Sequence, residues 1–429
     1  MSKNIILFVN AIRPATFEAL KKYENDSGHS LIPMIIVDSK IQNAITERNG
    51  QKDNPDIQVL SADFDSALSL RKTLQPYMQN VLAVTSQYEN SILELKKLVP
   101  YFPYLTMPTE ASLDWSTEKK LMRQMLEGYD ASLVPGYLEV TNETAETIES
   151  IEKNLDYPMI VKPSGLEGSL LVTLVKNRDE LQRTLGYTLH EIQHAYDVWI
   201  KRQKPTILVE EFMDGDMYSV DTYISSQGKC YHTPPVKVIT GKKVGFDDFF
   251  GYMQTTPSGL SPDDIVKAHE ATAKACHAVG LRSITAHVEL MRLHDRWKII
   301  ELGPRIGGYR HDIYKHSYGI NHIANDIINR SDQEPVIPNK VLRHTAAFNI
   351  YATSEGIVKS LEGADHVRAL PSFVSIVQDL YPGDRALFAK NNGDPVAKVM
   401  LSHEDSQQFQ NDVNVMKDVL KVEVISEDI

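Results

Sequence analysis

Short apolar runs alternate with polar stretches of helical spacing through the first hundred residues of the chain. The predicted strands are residues 5–9, 34–37 and 81–85, and the predicted helices are residues 17–22, 67–74 and 91–98. Alternation of this kind is typical of an open, mostly parallel α/β sheet. No GxGxxG sequence follows the first strand, so the fingerprint of a dinucleotide-binding sheet is absent.

The composition restricts the classes of function that such a chain can serve. There are 45 Lys and Arg residues against 57 Asp and Glu residues, which gives a net charge of −12. This acidic balance argues against nonspecific nucleic-acid binding, which needs clustered positive charge. No apolar run approaches the roughly 18 residues of a membrane span, so no membrane association is predicted. The two cysteines, Cys230 and Cys276, lie outside any CxxC sequence, and we therefore predict a reducing, cytoplasmic compartment.

The length of 429 residues is sufficient for about three units of roughly 150 residues each. The proline-containing stretch at residues 100–108 ends the first pattern and is a plausible boundary. We predict an N-terminal parallel α/β domain over residues 1–105 and a central α+β unit over residues 106–205, with a long helix at 179–200. A C-terminal α+β unit is predicted over residues 206–429, with an extension from about residue 340.

Two glutamates on neighbouring predicted strands form the most informative pattern in the chain. Glu289 and Glu301 lie on the strands 283–291 and 297–302. A three-residue turn at 294–296 would pair Leu293 with Trp297 and place Glu289 opposite Glu301, with Cβ atoms about 4.5–5.5 Å apart. Carboxylates that close repel one another unless a cation lies between them, and Mg²⁺ commonly uses one or two protein carboxylates plus phosphate oxygens. Two solvated glutamates on an exposed sheet face are the alternative.

Basic residues follow this acidic pair in the segment GPRIGGYR. Arg305 and Arg310 offer planar guanidinium groups that suit a phosphate or a carboxylate. A polar turn with surface arginines is the alternative. The other face of the two strands is predicted to be core and carries Val288, Leu290, Ile300 and Leu302.

Two earlier segments have the character of a nucleotide site. A strand at 157–162 ends in Lys162 and opens into a loop of small residues at 164–169, where backbone N–H groups and an ammonium can bind phosphates. An apolar strand at 206–212 runs into Glu210, Glu211 and Phe212, which can border an adenine ring. A surface hairpin and an ordinary edge strand are the respective alternatives.

These segments occur together and in order, and the region from about Lys119 to Arg330 resembles the ATP-grasp superfamily. The resemblance is to its ADP-forming carboxylate–amine ligases, and most of all to the L-amino-acid (dipeptide) ligases. It implies that the α/β domain precedes two α+β subdomains, a lid and a catalytic subdomain, which clasp the nucleotide. It also implies ATP and Mg²⁺ as cofactors, with Mn²⁺ able to replace Mg²⁺, and a small carboxylate and an amine as substrates. A homodimer is compatible with the resemblance.

The resemblance assigns roles residue by residue. The residues expected to bind ATP are Lys119, Lys162, Ser164, Gly165, Gly168, Ser169, Glu210, Glu211 and Phe212. The expected metal ligands are Glu289 and Glu301, and the expected catalytic residues are Arg305 and Arg310, which would stabilise an oxyanion. The residues expected near the acceptor substrate are Lys237, Gly308, Tyr309 and His311. Alternative acceptors for the amine proton are His232, His311, His316 and Glu289.

Two positions depart from the pattern of the family. Met217 stands where many members have a ribose-binding Glu, and Gly303 stands where many have a metal-binding Asn. The dipeptide-ligase branch accepts a small residue at the second position. Two other functions stay open beside the ligase: an ATP-grasp carboxylase or formyl-type ligase that uses bicarbonate or formate, and a noncatalytic ATP-binding sensor.

Overall fold

The structure, a computed structural model, describes residues 3–40, 57–198, 205–331 and 333–426. Over these residues the strands form a parallel sheet followed by antiparallel sheets, with helices packed between and around them. The α/β class predicted from the sequence is confirmed. None of the described helices is long and apolar enough to cross a lipid bilayer.

The first sheet is parallel and belongs to the N-terminal part of the chain. Its strands are β1 (Ile5–Val9), β2 (Ile32–Asp38), β3 (Gln58–Ala62) and β4 (Val81–Thr85), and its helices are α1 (Ala15–Ser27), α2 (Ala67–Leu74) and α3 (Ile92–Leu98). The strand order is β3-β2-β1-β4. All five residues of β1 are buried, because helices cover both faces of such a sheet, and this explains an unbroken apolar run in place of alternation. The sequence prediction did not include β3.

The second sheet is antiparallel. Two helices, α4 (Glu110–Thr117) and α5 (Lys119–Asp130), lead into it. Its elements are β5 (Tyr137–Val140), α6 (Ala145–Asn154), β6 (Met159–Pro163), β7 (Thr173–Val175), α7 (Arg178–Val198) and β8 (Ile207–Glu211), in the strand order β5-β8-β6-β7. The last two residues of the predicted helix 179–200 lie outside the described residues. Strand β8 belongs to this sheet although it follows residue 205, and the domain division stays a prediction.

The third sheet is the largest and carries the acidic hairpin. Its strands are β9 (Asp216–Ile224), β10 (Cys230–His232), β11 (Val236–Thr240), β12 (Gly251–Thr256), β13 (Ile284–Leu293), β14 (Arg296–Gly303), β15 (His344–Ile350), β17 (Phe373–Gln378) and β19 (Ala397–His403). The helices of this region are α8 (Pro262–Ala278), α9 (Arg310–Tyr318) and α10 (His322–Asn329). The strand order is β14-β13-β9-β11-β12-β15-β19-β17, with β10 beside β9, so β14 is an edge strand.

A small fourth sheet completes the C-terminal part. Its strands are β16 (Gly356–Glu362), β18 (Arg385–Ala386) and β20 (Lys421–Ile425), and the helices of this part are α11 (Ala364–Arg368) and α12 (Ser406–Val419). The main apolar core joins the first sheet to the third: Leu7 of β1 and Leu70 of α2 belong to the same buried cluster as Val288 and Ile299 of the hairpin. The hairpin is therefore packed against the N-terminal part of the chain as well as against its own sheet.

Candidate active site

The hairpin of β13 and β14 places Glu289 directly opposite Glu301, as the sequence predicts. The turn, however, is one residue shorter than predicted. Leu293 pairs with Arg296, and Trp297 pairs one position further along β13. A turn of this length alone would place the two glutamates on opposite faces, because a slip of one residue reverses the face of every side chain beyond it.

A β-bulge at Ile300 returns the two glutamates to the same face of the hairpin. Leu290 pairs with Ile299, and the next pair is Glu289 with Glu301, so Ile300 is an extra residue in β14. The prediction that Ile300 lies in the core was wrong, because the shorter turn places Ile299 opposite the core residue Leu290, and the extra residue Ile300 lies on the wall of a cavity.

Lys119, the first residue of α5, binds one member of the acidic pair. Its Nζ lies 2.8 Å from Glu301 Oε1 and donates a hydrogen bond to the carbonyl of Leu166 (2.6 Å). Burial disfavours the charged amine, but attraction to Glu301 outweighs it and raises the pKa of Lys119. The lysine is therefore charged and fixed beside the carboxylates.

Lys162, at the end of β6, shares a buried carboxylate with an arginine that the sequence analysis did not single out. Its Nζ lies 2.7 Å from Glu210 Oε2, while Arg123 Nε and Nη2 donate to the two oxygens of Glu210 (2.9 and 3.1 Å). Burial disfavours ionisation of Glu210, but Arg123 and Lys162 lower its pKa to about 2. Burial lowers the pKa of Lys162 to about 8 despite the attraction of Glu210. Two cations thus share one anion here.

A cavity of about 630 Å³ joins the two lysines to the acidic pair. Its polar lining includes Lys119, Lys162, Glu210, Glu289 and Glu301. Its apolar lining includes Ile160, Phe212, Met213, Met217, Ile239, Phe249, Met291 and Ile300. A volume of this size, with an apolar wall and a few convergent charges, is typical of a small-molecule site.

The loop 164–169 has a buried base and an exposed tip. The hydroxyl of Ser164 donates to Glu118 Oε2 (3.0 Å), and the Gly165 N–H donates to the hydroxyl of Tyr196 (2.8 Å). A Cβ at Gly165 would come within 2.3 Å of Glu118 Oε1, so this position has no room for a side chain. Ser164 and Gly165 therefore anchor the loop and do not line the cavity.

The remainder of this loop supplies the cavity wall and the tip. Leu166, Glu167 and Ser169 line the cavity, whereas Gly168 is exposed, with a φ of 71° that a glycine adopts without strain. Of the four loop residues predicted to bind ATP, Ser169 is the one that borders the cavity.

The residues after β8 contribute to the wall of the cavity. Phe212 lies on the wall with its ring centroid 6.3 Å from that of Phe249. Glu211 accepts hydrogen bonds from Lys298 (3.0 Å) and from the Gly136 N–H (3.2 Å), which hold this segment between the second and third sheets. Glu210, in contrast, directs its carboxylate to Lys162 and Arg123.

Arg305 is held by the N-terminal part of the chain. Its Nη2 donates to Glu89 Oε2 (2.6 Å), and although burial disfavours the charge, attraction to Glu89 raises the pKa of Arg305 further. Arg13 of the same N-terminal part donates to the carbonyls of Gly307 (3.0 Å) and Gly308 (2.9 Å). The segment after the acidic hairpin is thus fixed from outside its own sheet.

A buried carboxylate that the sequence analysis did not single out forms hydrogen bonds with residues next to Glu289. Asp221 on β9 lies 2.6 Å from the ring nitrogens of both His287 and His322 and accepts the Gly307 N–H (2.7 Å). His287 Nε2 is in turn 3.5 Å from Glu289 Oε1. Burial disfavours ionisation of Glu289, but the neighbouring His287 lowers its pKa.

The residues predicted at the acceptor substrate are not brought together. Lys237 lines the cavity near Met217, 3.9 Å from Asp216, and so lies with the residues predicted to bind the nucleotide. Tyr309 donates to the side chain of Asn349 on β15, and Gly308 and His311 do not line the cavity either.

Arg310 and the candidate histidines also lie outside the cavity. The guanidinium of Arg310 is buried and donates to Gln254 and to Ser219, the cross-strand neighbour of Glu289. Burial lowers the pKa of His311 to about 3. Burial, and then the charge of His269 stacked 4.7 Å away, lowers the pKa of His232 to about 3. Burial also lowers the pKa of His316. None of these histidines lines the cavity.

The donor set fits a hard divalent cation bound together with phosphate. Glu289 and Glu301 are opposed, line the cavity and have side chains that are 29% and 26% exposed. Among the described residues no cluster of three or more His, Cys, Asp or Glu side chains has the geometry of a metal site. A cation here would therefore need ligand oxygens beyond the protein, which is the usual arrangement for Mg²⁺.

Comparison with known proteins agrees with this geometry. Residues 155–312 match the ATP-grasp domain family. The uncharacterized protein y4rH of Sinorhizobium fredii is 24% identical over 310 residues, 71% of this chain and 60% of that protein. The alanine–anticapsin ligase of Bacillus amyloliquefaciens is 26% identical over 184 residues, 41% of this chain and 39% of that ligase. The matches thus span 39% to 60% of the length of these relatives.

The fold is shared over the whole chain with a solved structure. The L-amino acid ligase of Bacillus licheniformis superposes with a TM-score of 0.78 at 18% identity, over 99% of this chain and 100% of that one. The site agrees with both comparisons. Two lysines, a glycine-containing loop and an opposed acidic pair surround one cavity, and most of these residues lie within the matched segment 155–312. Residues 155–312 are thus similar to ATP-grasp domains, and the chain as a whole shares the fold of an L-amino acid ligase.

Proposed function

We propose that this protein is an ADP-forming ligase that joins a small carboxylic acid of the amino-acid class to an amine through an acylphosphate. The observation that carries the proposal is the convergence of two lysines and two opposed glutamates on one cavity that has an apolar wall. The alanine–anticapsin ligase and the L-amino acid ligase among the similar proteins support the choice of substrate class.

The reaction has two steps whose atoms balance. A carboxylate oxygen of the acid attacks the γ-phosphorus of ATP, the bond to ADP breaks, and an acylphosphate forms. The amine nitrogen then attacks the acyl carbon, phosphate leaves with the bonding electrons, and the amine loses a proton. Phosphoryl transfer of this kind depends on positioning and on charge neutralisation more than on covalent help.

The residues that line the cavity can supply both the positioning and the charge neutralisation that phosphoryl transfer needs. Lys119 and Lys162 would neutralise the phosphates, and Phe212 would pack against the adenine. Glu289 and Glu301 would hold Mg²⁺, or Mn²⁺ in its place, which when bound supplies charge neutralisation and Lewis acidity. We assign these roles because all of these side chains border the same cavity.

Arg305 and the loop 164–169 would serve the acylphosphate. The Arg305 guanidinium follows Glu301 by four residues and suits the oxyanion of the second step, where a fixed positive charge lowers the barrier. The loop borders the cavity through Leu166, Glu167 and Ser169. It would exclude water from an intermediate that hydrolyses readily. Arg310, in contrast, is better suited to hold Ser219 beside Glu289 than to contact the substrate.

We further propose a cytoplasmic protein, because Cys230 and Cys276 are both free thiols. Small molecules would be its partners. A homodimer is proposed on the family resemblance alone, and sedimentation equilibrium tests it directly: a single species at the mass of the 48.4 kDa chain would exclude it.

The deciding experiment measures ADP release over pairs of amino acids, with bicarbonate and formate as separate arms, followed by mass spectrometry of the products. A product with the mass of two amino acids less one water is expected. ADP release with bicarbonate or formate and with no amino acid would replace this proposal by a carboxylase or a formyl-type ligase. ATP binding without ADP release in any arm would replace it by an ATP sensor.

A further inference from the structure

Arg123 joins the base of the nucleotide cavity to the acidic hairpin. It lies four residues after Lys119, on the same face of α5, and its side chain has no exposed surface. In addition to its two bonds to Glu210, its Nη1 donates to the carbonyl of Ile299 (3.0 Å) and its Nη2 donates to the carbonyl of Ile300 (2.9 Å). One guanidinium thus holds a carboxylate and two backbone carbonyls.

The two carbonyls mark the site of the bulge. In a regular strand, successive carbonyls point to opposite edges, so one side chain cannot normally bind both. Ile299 and Ile300 direct theirs to the same side because Ile300 is the extra residue of β14. Since β14 is the edge strand of its sheet, none of the strands in the described part of the chain lies on that side to satisfy these groups. Arg123 takes the place of such a strand.

We propose that Arg123 is a positioning residue that locks the bulge at Ile300 and thereby keeps Glu301 on the same face as Glu289. The inference rests on the proposed function and deepens it. Without this lock the hairpin can take the register that its two-residue turn favours, in which Glu301 would face the core side. Because Arg123 also holds Glu210 beside Lys162, the same side chain ties the phosphate-binding lysine to the metal-binding pair.

The conservative substitution Arg123→Lys tests this role. A lysine keeps the positive charge beside Glu210, so the protein is expected to fold, but a single ammonium cannot replace a planar fork that binds three partners. Calorimetry would measure ATP affinity in EDTA and in excess Mg²⁺, and the ratio of the two affinities is the gain due to the metal. We expect that gain to fall about tenfold, whereas ATP affinity in EDTA changes less than about threefold.

Arg330→Lys is the matched control. Arg330 is also buried and also forks between a carboxylate, Asp326 Oδ1 (3.1 Å), and a carbonyl, that of Val84 (3.2 Å), away from the cavity. The control should lower the melting temperature by a similar amount and leave the Mg²⁺-dependent gain unchanged. A loss of the gain in both variants would mean that general destabilisation, and not positioning, is responsible.

Deletion of Ile300 with Arg123 retained provides a second variant. The deletion removes the extra residue, so Glu301 would follow Ile299 directly and face Glu289 without a bulge. Its Mg²⁺-dependent gain should stay within about threefold of that of the wild type, because the two carboxylates remain opposed. Loss of the gain in this variant would contradict the explanation of the bulge.

The outcomes separate this inference from the function on which it rests. Wild-type protein that gains no ATP affinity from Mg²⁺ would overturn both the proposed function and the inference. Wild-type protein with a clear gain, together with an Arg123→Lys variant that keeps it, would overturn the inference alone. A gain that is lost in Arg123→Lys and kept in Arg330→Lys would support it.

Discussion

The carboxylate of Glu89 lies 2.6 Å from the guanidinium of Arg305, although the two residues are 216 positions apart in the chain. Glu89 lies shortly after β4 of the parallel sheet, and Arg305 follows the acidic hairpin of the third sheet. Both side chains are largely buried, with 6% and 17% of their surface exposed. The N-terminal part of the chain therefore contributes directly to the arrangement of a proposed catalytic arginine.

Replacement of this carboxylate should slow turnover more than it weakens nucleotide binding. Glu89→Gln keeps the volume and removes the charge, which costs about 1.5–3 kcal/mol of interaction with a charged partner. We expect kcat for ADP release to fall roughly 10- to 150-fold, with little change in ATP affinity. Glu334→Gln serves as the control, because Glu334 is an exposed glutamate that pairs with Lys229 (3.0 Å) and does not line the cavity. An unchanged kcat would show that Glu89 does not orient Arg305.

Glu301→Ala should remove ATP turnover while leaving the protein folded. Glu301 is partly exposed and Lys119 keeps its hydrogen bond to the Leu166 carbonyl, so the protein should stay folded, although the buried Lys119 loses its ion pair and the melting temperature falls. Phosphate release and a thermal melt on the same sample measure the two properties. Normal turnover together with a native melting profile would refute the assignment of Glu301 as a metal ligand.

ATP affinity should weaken as the pH rises above about 8. Burial lowers the pKa of Lys162 to about 8, so the free protein loses this ammonium charge above that pH, and an uncharged amine attracts phosphate poorly. The ATP dissociation constant should therefore rise by up to about tenfold per pH unit above the pKa. In Lys162→Ala the dissociation constant should already be raised at pH 7 and should lack this dependence. A flat profile in the wild type would contradict the role of Lys162.

Asp221→Asn should destabilise the protein strongly. The carboxylate is fully buried between two histidines, and breaking a buried charge pair costs about 3–5 kcal/mol. Urea denaturation gives the free energy of unfolding for both proteins. A loss below 1 kcal/mol, on the order of a surface substitution, would mean that Asp221 is not the centre of this network.

The same substitution has a predictable dependence on pH. Although burial opposes ionisation, His287 and His322 hold the pKa of Asp221 well below its usual range, so its stabilisation is present above about pH 4 and is lost as the pH falls below that value. Burial alone would lower the pKa of His287, but the charge of Asp221 outweighs burial and raises it. The stabilisation that His287 contributes is therefore present below about pH 6.5 and is lost as the pH rises through the pKa of the folded state. The difference between wild type and variant should therefore be largest between about pH 4 and 6.5.

The sequence predicts the local elements and the acidic pair well because both depend on side-chain period. Strands β1 and β4 and helix α2 have the predicted bounds, and Glu289 does face Glu301. The β-bulge that brings the two glutamates to the same face was not predictable from the strands alone. The bulge at Ile300 is stabilised by Arg123, a residue more than 170 positions earlier, and no local pattern in β14 contains that information.

The residues that the sequence analysis did not single out share a physical reason. The contacts that unite Asp221, His287 and His322 join elements that are distant in the chain. Within its own segment each of these residues has no distinguishing pattern. Two weak signals were present. Arg123 follows Lys119 by one helical turn, and His287 precedes Glu289 by two residues on the same strand face. Helix α9 was not predicted, because its sequence is rich in polar residues that make buried contacts.

The extra residue in β14 has a consequence for sequences of this type. Two features together set the facing of Glu301, the two-residue bend at His294 and Asp295 and the extra residue Ile300. A hairpin of the same length with a three-residue bend and regular strands would reach the same opposition of its two glutamates. Equal spacing between the two acidic residues therefore does not reveal which of the two hairpins a related sequence forms.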